Sequence, residues 1–233
     1  MYLVAYGART PLLALRGLMR IRNLALIVVP FAVLNGVAFI VGSVDPRHAQ
    51  AAIALALVPA PLVAPGVVAR MRGRMDLTGA LVIGTVVLSV LFISGQGALA
   101  AGGLFTAVEA YALAAMFANV VPTVRDLLLV PLRVLGWGAF ALVLLNAAIL
   151  APPIDLATVG VAFALFVAGV AAAAIVAFAL DRDLRAAIAG AGLRDPALAV
   201  ALATITAGPD STGVALVYGV FCLVLAGIAL RFP

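Results

Sequence analysis

Residues 184–207 read LRAAIAGAGLRDPALAVALATITA, a stretch long enough to cross a bilayer and interrupted at its middle. Gly190 and Gly192 loosen its first half, and Pro196 opens its second. A proline removes a backbone donor and clashes with the preceding turn, so a helix bends or breaks there. Between the halves stand Arg194 and Asp195. Each charge at a bilayer centre costs about 2.5–3.5 kcal/mol on insertion scales, so both are expected to face a bundle interior. The apolar run 49–68 has the same character, with Pro59, Pro61, Pro65 and Gly66 in it. Backbone freed at such depth must be buried in protein or line a wet cavity. Two interrupted runs in corresponding places point to the binding site of an inverted-repeat transporter.

The composition places both runs in lipid. Hydrophobic residues make up 67% of the 233, charged residues only 10%, and the mean hydropathy is +1.30. A soluble domain is nearer half apolar and a quarter charged. The fourteen basic residues are all arginine, scattered singly between apolar runs. No continuous basic face is available to follow a phosphate backbone, which argues against a nucleic-acid partner despite the basic balance. Cys222 is the only cysteine, so no disulfide forms within one chain. The first twenty residues carry Arg9, Arg16 and Arg20 and lack the apolar core of a cleavable signal.

Apolar runs of near-spanning length recur at 24–41, 49–68, 77–94, 99–117, 134–150, 157–180, 184–207 and 214–230. Eighteen helical residues rise about 27 Å, close to the hydrocarbon thickness. The connections test the count. Arg9, Arg16, Arg20 and Arg22 precede the first run, and Asp45 and Arg47 cancel after it. Arg70, Arg72 and Arg74 follow the second run, and no charge follows the third. Arg125 and Arg133 follow the fourth, Asp155 alone the fifth, Arg182 and Arg185 the sixth, Asp210 alone the seventh, and Arg231 the eighth. Arginine-rich and arginine-poor connections alternate without a break, which predicts eight spans with both termini cytoplasmic. The expected fold is thus an all-α polytopic protein of the plasma membrane, one domain over 1–233. Residues 1–23 read either as an interfacial helix or as the tail of a span.

The two interrupted runs lie five spans apart, so they run in opposite directions, as an inverted repeat requires. Arg194 and Asp195 read either as functional charges or as a pair that neutralise each other and pin the packing. Glu109, near the centre of the fourth run, reads as a partner for Arg194, a proton carrier, a substrate contact, or a protonated carboxyl bonded to a neighbour. Asn35, Asn119 and Asn146 are explained by interhelical hydrogen bonds. Asp181 and Asp183 flank Arg182 as a solvated turn. No catalytic constellation, metal-ligand cluster or phosphate-cradling loop appears, so neither an enzyme nor a cofactor is expected.

At its two interrupted runs the chain resembles the bile acid:sodium symporter family and its wider superfamily. Residues 57–85, LVPAPLVAPGVVARMRGRMDLTGALVIGT, look like the family's first crossover helix, with Pro61 on the motif proline and Asp76 on the motif aspartate. Residues 185–204, RAAIAGAGLRDPALAVALAT, look like the second. There Gly192 falls on the motif glycine, Arg194 on the glutamine, Asp195 on the asparagine and Leu198-Ala199 on the following pair. The resemblance implies crossing interrupted helices in a core domain, set against a panel domain. Residues 24–94 and 157–230 would be the core and 99–150 half of the panel, with the family's first two spans absent. A second copy or an accessory subunit would supply the missing helices.

The family's sodium ligands are replaced. The motif glutamate is Gly190 and the glutamine is Arg194, while the oxygens expected after the first crossover fall on Gly66, Val67, Ala80 and Gly84. The expected protein is therefore a secondary-transporter-like carrier of a small organic anion, working by alternating access without sodium. The guanidinium of Arg194 would either replace a bound sodium ion or hold the anionic substrate itself. The alternative is a non-transporting homologue or membrane subunit that keeps only the fold.

Overall fold

The computed structural model describes residues 21–61, 64–93, 134, 138, 141–142, 144–149, 153–208 and 211–231. The expected fourth run, with Glu109 and Asn119, lies outside them, as do residues 1–20 and much of the fifth run. Among the described residues every regular element is helical. In chain order these are α1 (Ile21–Val44), α2 (Ala49–Leu57), α3 (Ala64–Arg70), α4 (Met75–Ile93), α5 (Leu156–Ala179) and α6 (Leu184–Ala187). A π-helical segment (Ile188–Gly192) continues α6, and α7 (Pro196–Ala207) and α8 (Gly213–Arg231) follow.

Four described stretches, Ile21–Val44, Met75–Ile93, Leu156–Ala179 and Leu184–Ala207, are long and apolar enough to cross a membrane. In α1 and α5 only 33% of the apolar window is buried in protein. On α1, Ile27, Phe31, Leu34 and Ala38 form the inward stripe at helical spacing, yet Val28, Val29, Phe39 and Ile40 on its outer face are equally apolar and exposed. A helix apolar all round needs lipid where protein does not cover it. The chain is accordingly a multi-pass helical membrane protein.

The long helices and the short elements pack into one bundle. α1 packs against α5 and α2, α7 against α2 and α8, and the π segment against α5 and α4. The main core gathers Phe31, Leu34, Leu55, Val58, Leu165, Val200 and Tyr218 from five of these elements. Alanines make much of the rest of it, among them Ala51, Ala52, Ala54, Ala56, Ala162, Ala199 and Ala203. Such residues let helix backbones approach closely where no hydrophobic force between helices is available. α4 differs in carrying a buried polar row, Thr78, Thr85 and Ser89, along its inner face.

Side chains at the helix ends tie the elements together. In the turn before α2, His48 Nδ1 lies 2.7 Å from Asp45 Oδ2 and its Nε2 lies 3.0 Å from Thr158 Oγ1 on α5. Thr158 donates its hydroxyl and its amide to the N-cap carboxylate of Asp155, at 2.6 and 2.7 Å. On the opposite, arginine-rich side, Asp183 does more than sit in a solvated turn. Its Oδ1 accepts from the amides of Arg185 and Ala186 at the start of α6, and its Oδ2 accepts from the Arg74 amide at 2.7 Å. Arg185 in turn donates to the carbonyl of Met71. The loop before α4 is thereby fastened to the loop before α6.

The first tether makes stability depend on acid. The hydrogen bond with His48 holds the Asp45 carboxyl below its usual range, and the Thr158 hydroxyl does the same for Asp155. A carboxyl more acidic folded than unfolded stabilises the fold above its unfolded value, near 3.9, and loses that contribution as pH falls through the folded one. Thermal unfolding in detergent between pH 6 and 3 should therefore show a fall in midpoint below about pH 4. That fall should be shallower in the Asp45→Asn, Asp155→Asn double variant.

Candidate crossover site

The interruption after α2 begins at Val58, whose amide still bonds the Ala54 carbonyl before its backbone turns extended. Pro59 and Pro61 follow, and neither has a donor to satisfy. Between them the Ala60 amide donates to Thr85 Oγ1 of α4 at 3.0 Å, while the same hydroxyl donates to the Val82 carbonyl. The Pro61 carbonyl accepts from the Ala64 amide and so opens α3. Pro65 then falls in the first turn of α3, where a missing N–H costs nothing.

The second interruption follows the π segment. The Leu193 amide closes a wide turn onto the Ile188 carbonyl, and the Arg194 amide donates to the buried phenol oxygen of Tyr218 on α8 at 3.0 Å. The Asp195 amide crosses to the other interruption and donates to the Pro59 carbonyl at 3.0 Å. Beyond it, Asp195 Oδ1 accepts from the amides of Ala197 and Leu198 as N-cap of α7, with Pro196 at the first helical position. From 193 to 199 every backbone donor is thus accounted for, as buried backbone requires.

Arg194 and Asp195 are both fully buried, as their sequence setting predicts. They do different work on either side of the gap. Asp195 sits at the N-terminal, positive end of α7, and Arg194 at the C-terminal, negative end of the π segment. Arg194 Nη1 donates to the carbonyls of Ala191 and Leu193 at 3.2 and 3.4 Å, and its guanidinium carbon stands 5.4 Å from the Phe31 ring centroid. Among the described residues no ion pair joins Arg194 to a carboxylate. Its Nε and Nη2 are buried and have no hydrogen-bond partner among the described residues.

Two glycines set how closely this site is enclosed. A Cβ on Gly169 of α5 would lie 2.2 Å from the Gly192 carbonyl oxygen, and one on Gly192 would lie 2.8 Å from the Gly169 carbonyl oxygen. Backbone meets backbone there, so neither position tolerates a side chain. A Cβ on Gly190 would lie 3.0 Å from Leu81 Cβ and 3.1 Å from the Thr78 carbonyl of α4.

No family model matches this chain, and no curated protein does either. The site therefore rests on its own geometry.

That geometry sorts the residues singled out in the sequence. Gly192, Arg194, Asp195 and Pro196 meet at the crossing, and Gly190, within the π segment, packs against α4. Pro61 is buried at the start of α3. Pro65 and Val67 are half-buried on α3, and Gly66 is exposed, so that a Cβ there would meet nothing within 4 Å. Asp76 stands apart, exposed and ion-paired with Arg74 at 2.7 Å. Asn35 bonds the Phe31 carbonyl of its own helix, in place of the expected interhelical partner. A cleft of ≈ 290 Å³ between α2, α4 and α7, from Gln50 and Thr206 to Leu57, reaches none of these residues.

Four participants escape a motif-based reading: Pro59, Thr85, Tyr218 and Gly169. Their signals are real but plain. Thr78, Thr85 and Ser89 recur at helical spacing in an apolar run, and Tyr218 is a single phenol in another. Replacing Thr85 by valine keeps the shape and strands the Ala60 amide, at a cost of about 1–3 kcal/mol. A lower unfolding midpoint in detergent would show it, with no loss expected for Thr204→Val, which strands no amide. Gly169→Ala should cost a similar about 1–3 kcal/mol through overpacking. Gly160→Ala on the same helix, with open space around it, should leave the midpoint unchanged or raise it.

Proposed function

We propose that this chain is the crossover core of a secondary carrier that moves a small organic anion across the plasma membrane by alternating access, without sodium coupling. The observation that carries the reading is the hydrogen bond from the Asp195 amide to the Pro59 carbonyl, which joins the two interruptions. In this reading α2 with α3, and α6 with α7, are each one discontinuous span. α1 corresponds to α5 and α4 to α8, giving two inverted repeats within an eight-span chain whose termini are both cytoplasmic. The likeness to the bile acid:sodium symporter family belongs to the same proposal.

What lies at the crossing supports a sodium-independent reading. Sodium needs oxygen ligands, and the carbonyls of Ala191 and Leu193 already accept from Arg194 Nη1. A guanidinium cannot shed its proton under ordinary conditions, so it balances those carbonyls permanently. Gly66, Val67, Ala80, Gly84 and Gly190 bring no side-chain oxygen.

One observation favours a second reading, a membrane subunit that keeps the fold and does not transport. Pro59, Ala60, Arg194 and Asp195 are all buried, and the amides of Val58, Ala60, Leu193, Arg194 and Asp195 are each met within the chain. Uptake of labelled organic acids into liposomes holding the purified protein separates the two. The expected result is saturable uptake of equal rate with and without an inward sodium gradient. Uptake that needs sodium and disappears in Arg194→Gln would sink the built-in cation, and no uptake of any acid would leave the subunit reading standing.

A further inference from the structure

The nitrogens of a guanidinium are not equivalent in how they pair. Nε–H and Nη2–H lie on one edge and point the same way, a fork that matches the two oxygens of a planar carboxylate. In this chain that edge is the one left over. Nη1 of Arg194 bonds the Ala191 and Leu193 carbonyls, the guanidinium carbon stands over the Phe31 ring, and among the described residues Nε and Nη2 have no hydrogen-bond partner although both are buried. The side chain itself is 0% exposed. A permanently charged group with two buried donors unmet is costly, and one planar oxyanion would satisfy both donors and the charge together.

We infer that the Nε/Nη2 edge of Arg194 is a carboxylate-binding site, and that the anion handled at the crossing is an organic carboxylate gripped there in a bidentate pair. This rests on the carrier reading for access, because the edge is enclosed and a solute reaches it only when the crossing opens to one side. It goes beyond that reading by fixing the chemical handle and the atoms that hold it. The surroundings suit the rest of such a solute, since Phe31 and Tyr218, which both touch Arg194, belong to one buried apolar cluster with Leu34 and Leu165. Lysine at 194 would keep the charge and lose the fork.

The test is binding to the purified full-length chain in detergent, measured by calorimetry with benzoate, butyrate and the uncharged benzamide. Saturable binding of benzoate and butyrate but not benzamide is expected, weakened at least tenfold in Arg194→Lys. Should that variant fail to fold, phenylglyoxal modification of the wild-type protein, followed by mass spectrometry of the Arg194 peptide, gives the same information. Benzoate should slow labelling of Arg194 and benzamide should not. Glu109→Gln separates a solute from a carboxylate of the chain itself, and benzoate binding within threefold of wild type is expected there. Equal binding of benzamide, benzoate affinity unchanged in Arg194→Lys, labelling unaffected by benzoate, or binding that appears only in Glu109→Gln would each overturn the site. The carrier reading fails separately: carboxylate binding without liposome uptake removes transport and keeps the site, and uptake without carboxylate binding does the reverse.

Discussion

A polypeptide interrupted inside a membrane must find partners for the backbone groups that the helix would have bonded, because lipid supplies none. That one demand organises the described part of this protein. Both interruptions are placed where they answer each other, the Asp195 amide meeting the Pro59 carbonyl. The remaining donors are taken up by Thr85, Tyr218 and the Asp195 carboxylate, each brought from or directed to a different helix. α4, α7 and α8 are thus held at the crossing by single hydrogen bonds whose loss leaves a buried polar group, and not only by apolar contact.

The two interruptions solve the problem differently, and the sequence explains why. Pro59 and Pro61 lack donors, so from 59 to 61 the first gap has only the Ala60 amide to satisfy, and a hydroxyl suffices there. The second has a full complement of amides and a π turn whose carbonyls are left open, and there the consecutive Arg194 and Asp195 divide the labour. Each complements the dipole of the half-helix it touches, cation at the carbonyl end and carboxylate at the amide end. Writing them in the reverse order would place each charge against its like end. The pair is therefore better described as two caps than as an ion pair.

Much of this is legible in the residues alone. The apolar runs at 24–41, 77–94, 157–180 and 214–230 match α1, α4, α5 and α8 to within three residues at each end, because unbroken hydrophobic length is a strong signal. The burial of Arg194 and Asp195 follows from their cost in lipid. What sequence does not reveal are relations between distant residues. Nothing local marks Gly169 as the place where α5 meets the Gly192 carbonyl, since glycine and alanine make up half of that run. Motif matching also misleads at Gly66 and Asp76, which lie on exposed parts of α3 and α4 away from the crossing. Asn35 departs from expectation for another reason: a side-chain amide in a helix can always reach the carbonyl four residues back.

The close approach at Gly169 and Gly192 and the burial of Arg194 are linked. Contact of backbone on backbone brings α5 against the π segment, and α1, packed on both, carries Phe31 over the guanidinium. A methyl group at either glycine would part these elements and loosen the enclosure of the charge. The same geometry constrains any movement at the crossing. A segment held by one amide–carbonyl bond on one side and a glycine contact on the other has few ways to yield in small steps, because packed interfaces favour discrete arrangements over continuous deformation. Any displacement there would therefore have to carry the π segment, Arg194 and the start of α7 together as one body.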